Sequence, residues 1–369
     1  MTASADTTTM PGSGDRPIGG GSPESSGRGS LVDATGATTA LADVGAGAAL
    51  GGVRVRVPDF FIVGHPKCGT TALYRMLRSH SQIFMPAVKE PWFLAPEQRS
   101  PMRGAVVGRR PETLEQYLAL FAPARPDQRA GEASSSYLMS PSAAGRIAEL
   151  SPRARIVAIL REPASFLRSL HLQNVQVHVE IERDLRRALA LEDERRRGCH
   201  IPPGSPRPQA LLYSEHVRYV EQLRRFHELF GRARVLVLIY DDFRAANEAT
   251  VRRVLRFLEV DELAPLEVVE ANPTVAVRSL RLHRAVQAVQ VGSGPVAEAV
   301  KASVKRVTSR RLRHAGLRAV RRGVVFGAPP PPDAELMGEL RRRFAPEVVA
   351  LSEYLERDLV GLWGYDGVA

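Results

Sequence analysis

The residues best suited to chemistry lie in one short stretch, Gly64-His65-Pro66-Lys67-Cys68-Gly69-Thr70-Thr71. Two glycines five positions apart let backbone N–H groups converge, and the hydroxyl residues after them open a helical pattern. A helix N-terminus offers unsatisfied N–H groups and the positive end of its dipole, so this loop is built to hold an anion. A second candidate is Arg161, which ends an apolar run, with Ser169 eight residues further on. A guanidinium at the end of a strand and a hydroxyl on the following helix can grip one phosphate between them.

Such groups need rigid elements behind them. Pro58 to Val63, Arg155 to Leu160 and Arg234 to Ile239 are short, nearly continuous apolar runs, the pattern of strands buried on both faces. Helical patterns alternate with them: Thr71 to Ser79, Pro163 to about Val177, Ser214 to Phe230 and Ala245 to Leu258. A last helix is expected over Asp333 to Leu359, its stripe of Leu336, Leu340, Phe344, Val348, Leu351, Leu355 and Leu359 docking it on the domain. The alternation predicts an α/β fold: a P-loop-type, three-layer arrangement with a central parallel β-sheet flanked by helices on both faces. Residues 1–52, rich in Gly, Ser, Thr and Ala, cannot bury enough apolar surface to order themselves. They read as a disordered low-complexity tail before a single domain, 53–369. No internal repeat is visible.

The loop is close to the G-x-x-x-x-G-K-[ST] pattern of nucleotide hydrolases, but Thr70 stands where those proteins carry lysine and Lys67 lies inside the loop. That arrangement resembles the P-K-x-G-T-T-x-L loop of sulfotransferases, matched by Pro66, Lys67, Gly69, Thr70, Thr71 and Leu73. The chain is similar to the carbohydrate branch of that family, whose familiar members act on heparan sulfate, and reads as a bacterial member. The resemblance implies a donor, 3′-phosphoadenosine-5′-phosphosulfate, with its 5′-phosphosulfate held by Pro66, Lys67, Cys68, Gly69, Thr70 and Thr71. Arg161-Glu162-Pro163 with Ser169 resembles the family's second nucleotide motif, which implies that Arg161 and Ser169 bind the 3′-phosphate. Val88-Lys89-Glu90-Pro91-Trp92-Phe93 resembles the segment whose glutamate is the catalytic base, which implies that role for Glu90. Burial beside Trp92 and Phe93 is expected to raise its pKa, and Lys89 to oppose this. Gly131-Glu132-Ala133-Ser134-Ser135-Ser136-Tyr137-Leu138 looks like the family's acceptor-side loop, which makes Glu132, Ser134 and Tyr137 candidate substrate residues with Lys89 and His171. Ala133 departs from the lysine usual in the heparan enzymes. His171 and His178 are rival bases. The reaction implied is sulfuryl transfer to a hydroxyl or amine of a carbohydrate or glycosylated small molecule, with Lys67 stabilising the leaving phosphate and no metal required.

The 51 Lys and Arg against 40 Asp and Glu give a net charge of +11. Residues 278–323 hold twelve basic side chains and one acid, so this segment alone nets +11. A polyanionic donor, or peripheral contact with an anionic membrane, would account for it. Charge alone would also suit a nucleic-acid-binding protein, yet no recognition helix, zinc finger or aromatic-interleaved basic motif accompanies it, so no nucleic-acid partner is expected. A nucleoside triphosphate kinase or hydrolase would need lysine after Gly69 and an acidic metal ligand, for which Asp241 and Asp242 are the nearest candidates. Two cysteines, Cys68 and Cys199, and the lack of a convincing secretory signal or spanning segment point to the cytoplasm.

Overall fold

The computed structural model describes residues 56–98, 110–202, 205, 208–265 and 329–368, together with the backbone of short ladders at 30–32, 38–40, 49–50, 53–54, 276–277 and 326–327. The expected tail, 1–52, and the basic segment, 278–323, lie outside the described residues apart from those ladders.

Five strands form the central sheet: β1 Phe60–Gly64, β2 Ile83–Phe84, β3 Arg129–Ala133, β4 Arg155–Leu160 and β5 Val235–Ile239. Their order across the sheet is β2-β3-β1-β4-β5, and every pairing is parallel. Phe60, Phe61, Ile62 and Val63 have no exposed surface, because a parallel strand with a helix layer on each side has no solvent face. The sheet is flanked by helices as the alternation predicted. Helix α1, Thr70–Ser79, packs on β1 and β2. α2, Leu114–Ala119, and α3, Ala143–Leu150, precede β3 and β4. Between β4 and β5 come α4, Pro163–Gln176, the short α5, Leu185–Ala190, and α6, Glu192–Arg196, and then α7, Tyr219–Phe230, which packs on β4 and β5.

After β5 the chain runs through α8, Tyr240–Ala245, and α9, Asn247–Phe257. It ends in α10, Ala334–Tyr354, and α11, Leu359–Trp363. The apolar stripe of α10 is buried at Leu336, Leu340, Phe344, Val348 and Leu351, and the helix packs against α4 and α7. It stops at Tyr354, short of the expected Leu359, because Ser352 Oγ turns back to the Arg357 carbonyl and starts a new turn. The expected helix from Ser214 also begins later: Tyr213–Val217 is a 3₁₀ turn, and Arg218 breaks away at ψ 59°. No helix among the described residues is long and apolar enough to cross a membrane.

Gly131 to Ala133, expected to belong to a loop, are part of β3. The space above Gly131 is filled: a Cβ there would lie 2.1 Å from Phe60 Cζ and 2.5 Å from Met85 Sδ. Gly131→Ala should therefore cost about 1–3 kcal/mol through overpacking, read as a lower urea midpoint. An unchanged midpoint would mean that Phe60 and Met85 swing aside without penalty.

Candidate functional site

The anion loop sits at the carboxyl end of β1, between β3 and β4. Chain order reverses here, since β2 and β3 lie on one side of β1 and β4 and β5 on the other. Crevices for ligands open at such switch points in α/β sheets. The loop is held open by two left-handed residues, Lys67 at φ 64° and Gly69 at φ 87°. Gly69 is the N-cap of α1 and no side chain caps that helix. A Cβ on Gly69 would also meet Phe243 Cε1 at 2.8 Å, so glycine is required for both shape and space.

Two elements pin the loop from behind. His65 is fully buried and its Nε2–H donates to Gln222 Oε1 at 2.7 Å, while Gln222 Nε2 donates to the Glu215 carbonyl at 2.8 Å. Burial keeps this imidazole neutral, pushing its pKa down to about 4. Tyr219 hydroxyl, one turn before Gln222 on α7, donates to the Arg161 carbonyl at 2.9 Å. Arg161 Nη1 donates to the Lys67 carbonyl at 3.3 Å, and its guanidinium lies 4.7 Å from the centre of the Tyr240 ring. Glu162 fixes the start of α4 by accepting from Ala164 N at 3.0 Å and Ser165 N at 2.7 Å, and Tyr365 hydroxyl donates to it at 2.7 Å. Burial, then the nearby Arg161, lowers the pKa of Lys67, and the same two causes lower that of Arg168. Three cations thus crowd one corner, which a bound anion would relieve. Ser169, two per cent exposed, follows Arg168 on α4. Cys68 is fully buried, its thiol pushed up to about 12 by burial, so its side chain packs inside and only its backbone can serve the loop.

Beside the loop is a cleft of about 340 Å³ whose lining includes Pro66, Lys89, Glu90, Trp92, Ser135 and Gln173. Glu90, 22% exposed, accepts four hydrogen bonds: from Lys89 Nζ at 2.6 Å and Ser135 Oγ at 2.7 Å on one oxygen, and from Trp92 Nε1 at 2.7 Å and Ser135 N at 3.0 Å on the other. Burial alone would raise its pKa, but Lys89, Ser135 and Trp92 outweigh it and hold the carboxyl below the ordinary range. This corrects the sequence expectation, because Trp92 acts on Glu90 as a hydrogen-bond donor and not only as an apolar neighbour. Arg110 lies 3.9 Å over the Trp92 ring.

The structure separates the other candidates. Lys89 lines the cleft. Glu132, Ser134 and Tyr137 have no exposed surface and stand behind it. Glu132 Oε2 accepts from the Tyr117 and Tyr137 hydroxyls, both at 2.9 Å, while Oε1 is buried with no hydrogen-bond partner among the described residues. Ser134 Oγ accepts from Trp92 N at 3.2 Å, and Glu90 N donates to the Ala133 carbonyl at 3.0 Å. These residues therefore hold the Glu90 segment in place. His171, three per cent exposed, hydrogen-bonds through Nε2 to the Glu182 carbonyl at 2.9 Å and packs edge-on to Tyr213, outside the lining of the cleft. His216, which sequence reasoning did not single out, does line it. Asp241 and Asp242, the nearest acidic residues for a metal-dependent reading, are engaged by Trp363 Nε1 at 3.0 Å and by Arg357 at 2.6 and 2.8 Å.

Residues 58–265, more than half of the chain, match the sequence profile of the sulfotransferase family. The chain belongs to this family. Carbohydrate sulfotransferase 15 from Homo sapiens is 40% identical to it over 65 residues, which is 18% of the chain and 12% of the human protein, and the rat protein matches equally. The chain thus spans a small part of the length of these relatives. A crystal structure of a sulfotransferase from Alicyclobacillus acidocaldarius superposes with a TM-score of 0.59 at 25% identity, covering 84% of this chain and 99% of that one. The P-loop-type sulfotransferase fold places Lys67, Arg161 and Glu90 around the end of β1.

Two measurements follow from the charges at this site. Lys89→Met should raise the Glu90 pKa, seen as an upward shift in a carboxyl-resolved NMR titration; an unmoved value would show that Lys89 does not set it. Burial first, then the charge of Glu90, pushes Glu132 up to about 7 against its tyrosine hydrogen bonds. A folded-state pKa above the unfolded one means that the stability Glu132 contributes is full below about pH 4.5 and is lost as pH rises towards 7. The melting temperature of wild type should accordingly fall relative to that of Glu132→Gln, which stays uncharged, from pH 5 to pH 8. A difference independent of pH would show that Glu132 does not titrate in this window.

Proposed function

We propose that the chain transfers a sulfuryl group from 3′-phosphoadenosine-5′-phosphosulfate to a hydroxyl or amine, with a carbohydrate or glycosylated small molecule as acceptor. The observation that carries this reading is the convergence of Lys67 and Arg161 at an uncapped helix N-terminus, with Glu90 in the adjoining cleft. The crowded cations and the left-handed loop that Gly69 allows suit a polyanionic nucleotide. When bound, the donor supplies an activated sulfuryl group whose departure leaves a phosphate.

Pro66, the backbone of Cys68 and Gly69, and the hydroxyls of Thr70 and Thr71 hold the phosphosulfate end. Lys67 offsets charge on the oxygen between sulfur and phosphorus as that bond breaks. Arg161 and Ser169 hold the 3′-phosphate. Glu90 orients the acceptor and takes its proton as the new oxygen–sulfur or nitrogen–sulfur bond forms. Its four donors keep it ionised but weaken it as a base, so proton transfer belongs late, when the attacking group has become acidic. The concentrated charge of residues 278–323 suits a polyanionic donor or an anionic surface.

Lys67→Ala should lower turnover of radiolabelled donor by at least about a hundredfold, the scale for losing one preorganised charge-stabilising group. A variant that keeps a tenth of the rate would remove Lys67 from that role. Glu90→Gln should lose turnover yet bind 3′-phosphoadenosine 5′-phosphate as wild type does, measured by calorimetry. Retained turnover would exclude Glu90 as the base.

A further inference from the structure

The cleft beside Glu90 has a character distinct from that of the anion loop. The second half of α4 and its C-cap form a wall: Leu170, Gln173 or Asn174, and Val177 follow one another at three- and four-residue spacing, and all four line the cleft. Val177 is 45% exposed, an apolar side chain open to solvent. Trp92, Gln98, Met139, Gln209 and Ala210, from other segments, also line the cleft. Four carboxamides, Gln98, Gln173, Asn174 and Gln209, stand among apolar surfaces. Gln98 and Asn174 are buried and their amides donate to the Ser136 and Ala210 carbonyls at 3.3 and 3.0 Å, which leaves Gln173 and Gln209 as the more accessible pair.

The charged groups described in this lining are Lys89, Glu90 and Arg110, with His216 titratable. Lys89 is spent on Glu90 at 2.6 Å, and Arg110 is stacked on Trp92 at 3.9 Å. Recognition of a carboxylated or sulfated saccharide would call for several cations directed at it. Among the described residues the convergent cations, Lys67, Arg161 and Arg168, lie on the side proposed for the donor. Carboxamides offer both donors and acceptors to neutral hydroxyls, and the apolar wall offers a place for a chain or ring without charge.

We infer that the acceptor is an uncharged amphipathic hydroxyl compound, such as a neutral glycoside bearing an alkyl or aryl group. Its polar part meets Gln173 and Gln209 near Glu90, and its apolar part lies along Leu170, Val177 and Met139. The inference rests on the sulfotransfer reading and adds the class of acceptor to it.

The test uses the full chain with 3′-phosphoadenosine-5′-phosphosulfate and two probes that differ in one group, octyl β-glucopyranoside and octyl β-glucuronide. The neutral glycoside is expected to have a kcat/KM at least tenfold higher. Gln173→Lys should reduce that ratio at least threefold, and Val177→Asp should raise the KM for octyl glucoside more than for methyl glucoside. Equal rates, a preference for the glucuronide, or no turnover of either probe by a protein that binds 3′-phosphoadenosine 5′-phosphate would overturn the inference and leave the sulfotransfer reading standing. Absence of both nucleotide binding and turnover would take down the sulfotransfer reading, and the inference with it.

Discussion

The whole site depends on one constraint of connection: the chain must leave β1 and return on either side of it while every strand keeps the same direction. Parallel strands cannot be joined by tight turns, so each return requires a crossover, and each crossover delivers its next functional residue at the same end of the sheet. The loop after β1, the segment after β3 and Arg161 after β4 come together for that reason. Had β3 been antiparallel, Ser135 would be at the opposite end of the sheet from Glu90, which it helps to hold.

Around that frame, polar groups are used to fix backbone more often than to face the cleft. Tyr219 and Gln222 on α7 anchor Arg161 and His65 together, so one helix face sets the separation of two loops that are 96 residues apart in sequence. Glu162, Tyr365 and the start of α4 form a second anchor, which ties Tyr365, after α11, to the turn between β4 and α4 beside the anion loop. The pair Arg195–Glu180 is a third. With side chains only 1% and 0% exposed and oxygen and nitrogen 2.8 Å apart, it knits the irregular stretch between α4 and α7. Breaking such a pair by removing one partner leaves a buried charge, a loss of about 3–5 kcal/mol.

Strands that are apolar along their length, β1, β4 and β5, were legible from sequence, as was the loop between β1 and α1. β3 was not, since Arg-Ala-Gly-Glu-Ala lacks branched and aromatic residues; it is buried because Phe60 and Met85 occupy the space its small residues leave. β2 has only two residues, too few for any periodicity. The site shows the same division. Lys67, Arg161 and Glu90 stand in recognisable local motifs, whereas Trp92's bond to Glu90, the anchoring pair on α7 and the lining role of His216 arise from tertiary approach. Glu132 and Tyr137 were legible as a motif but not as buried supports, because sequence spacing does not reveal which side of a loop is inside.

In the proposed reaction, helix α4 carries both the donor side and the acceptor side on a single rigid rod. Its first half carries Arg168 and Ser169, the latter proposed to hold the 3′-phosphate, and its second half, from Leu170 to Gln176 with the C-cap Val177, lines the cleft in which the acceptor is proposed to rest. At 1.5 Å per residue, Ser169 and Val177 are about 12 Å apart along the axis, too far for a substitution at one to disturb the other directly. A lineage could therefore retarget the cleft by exchanging a few side chains on the distal turns, with the end of the helix beside the anion loop inherited unchanged.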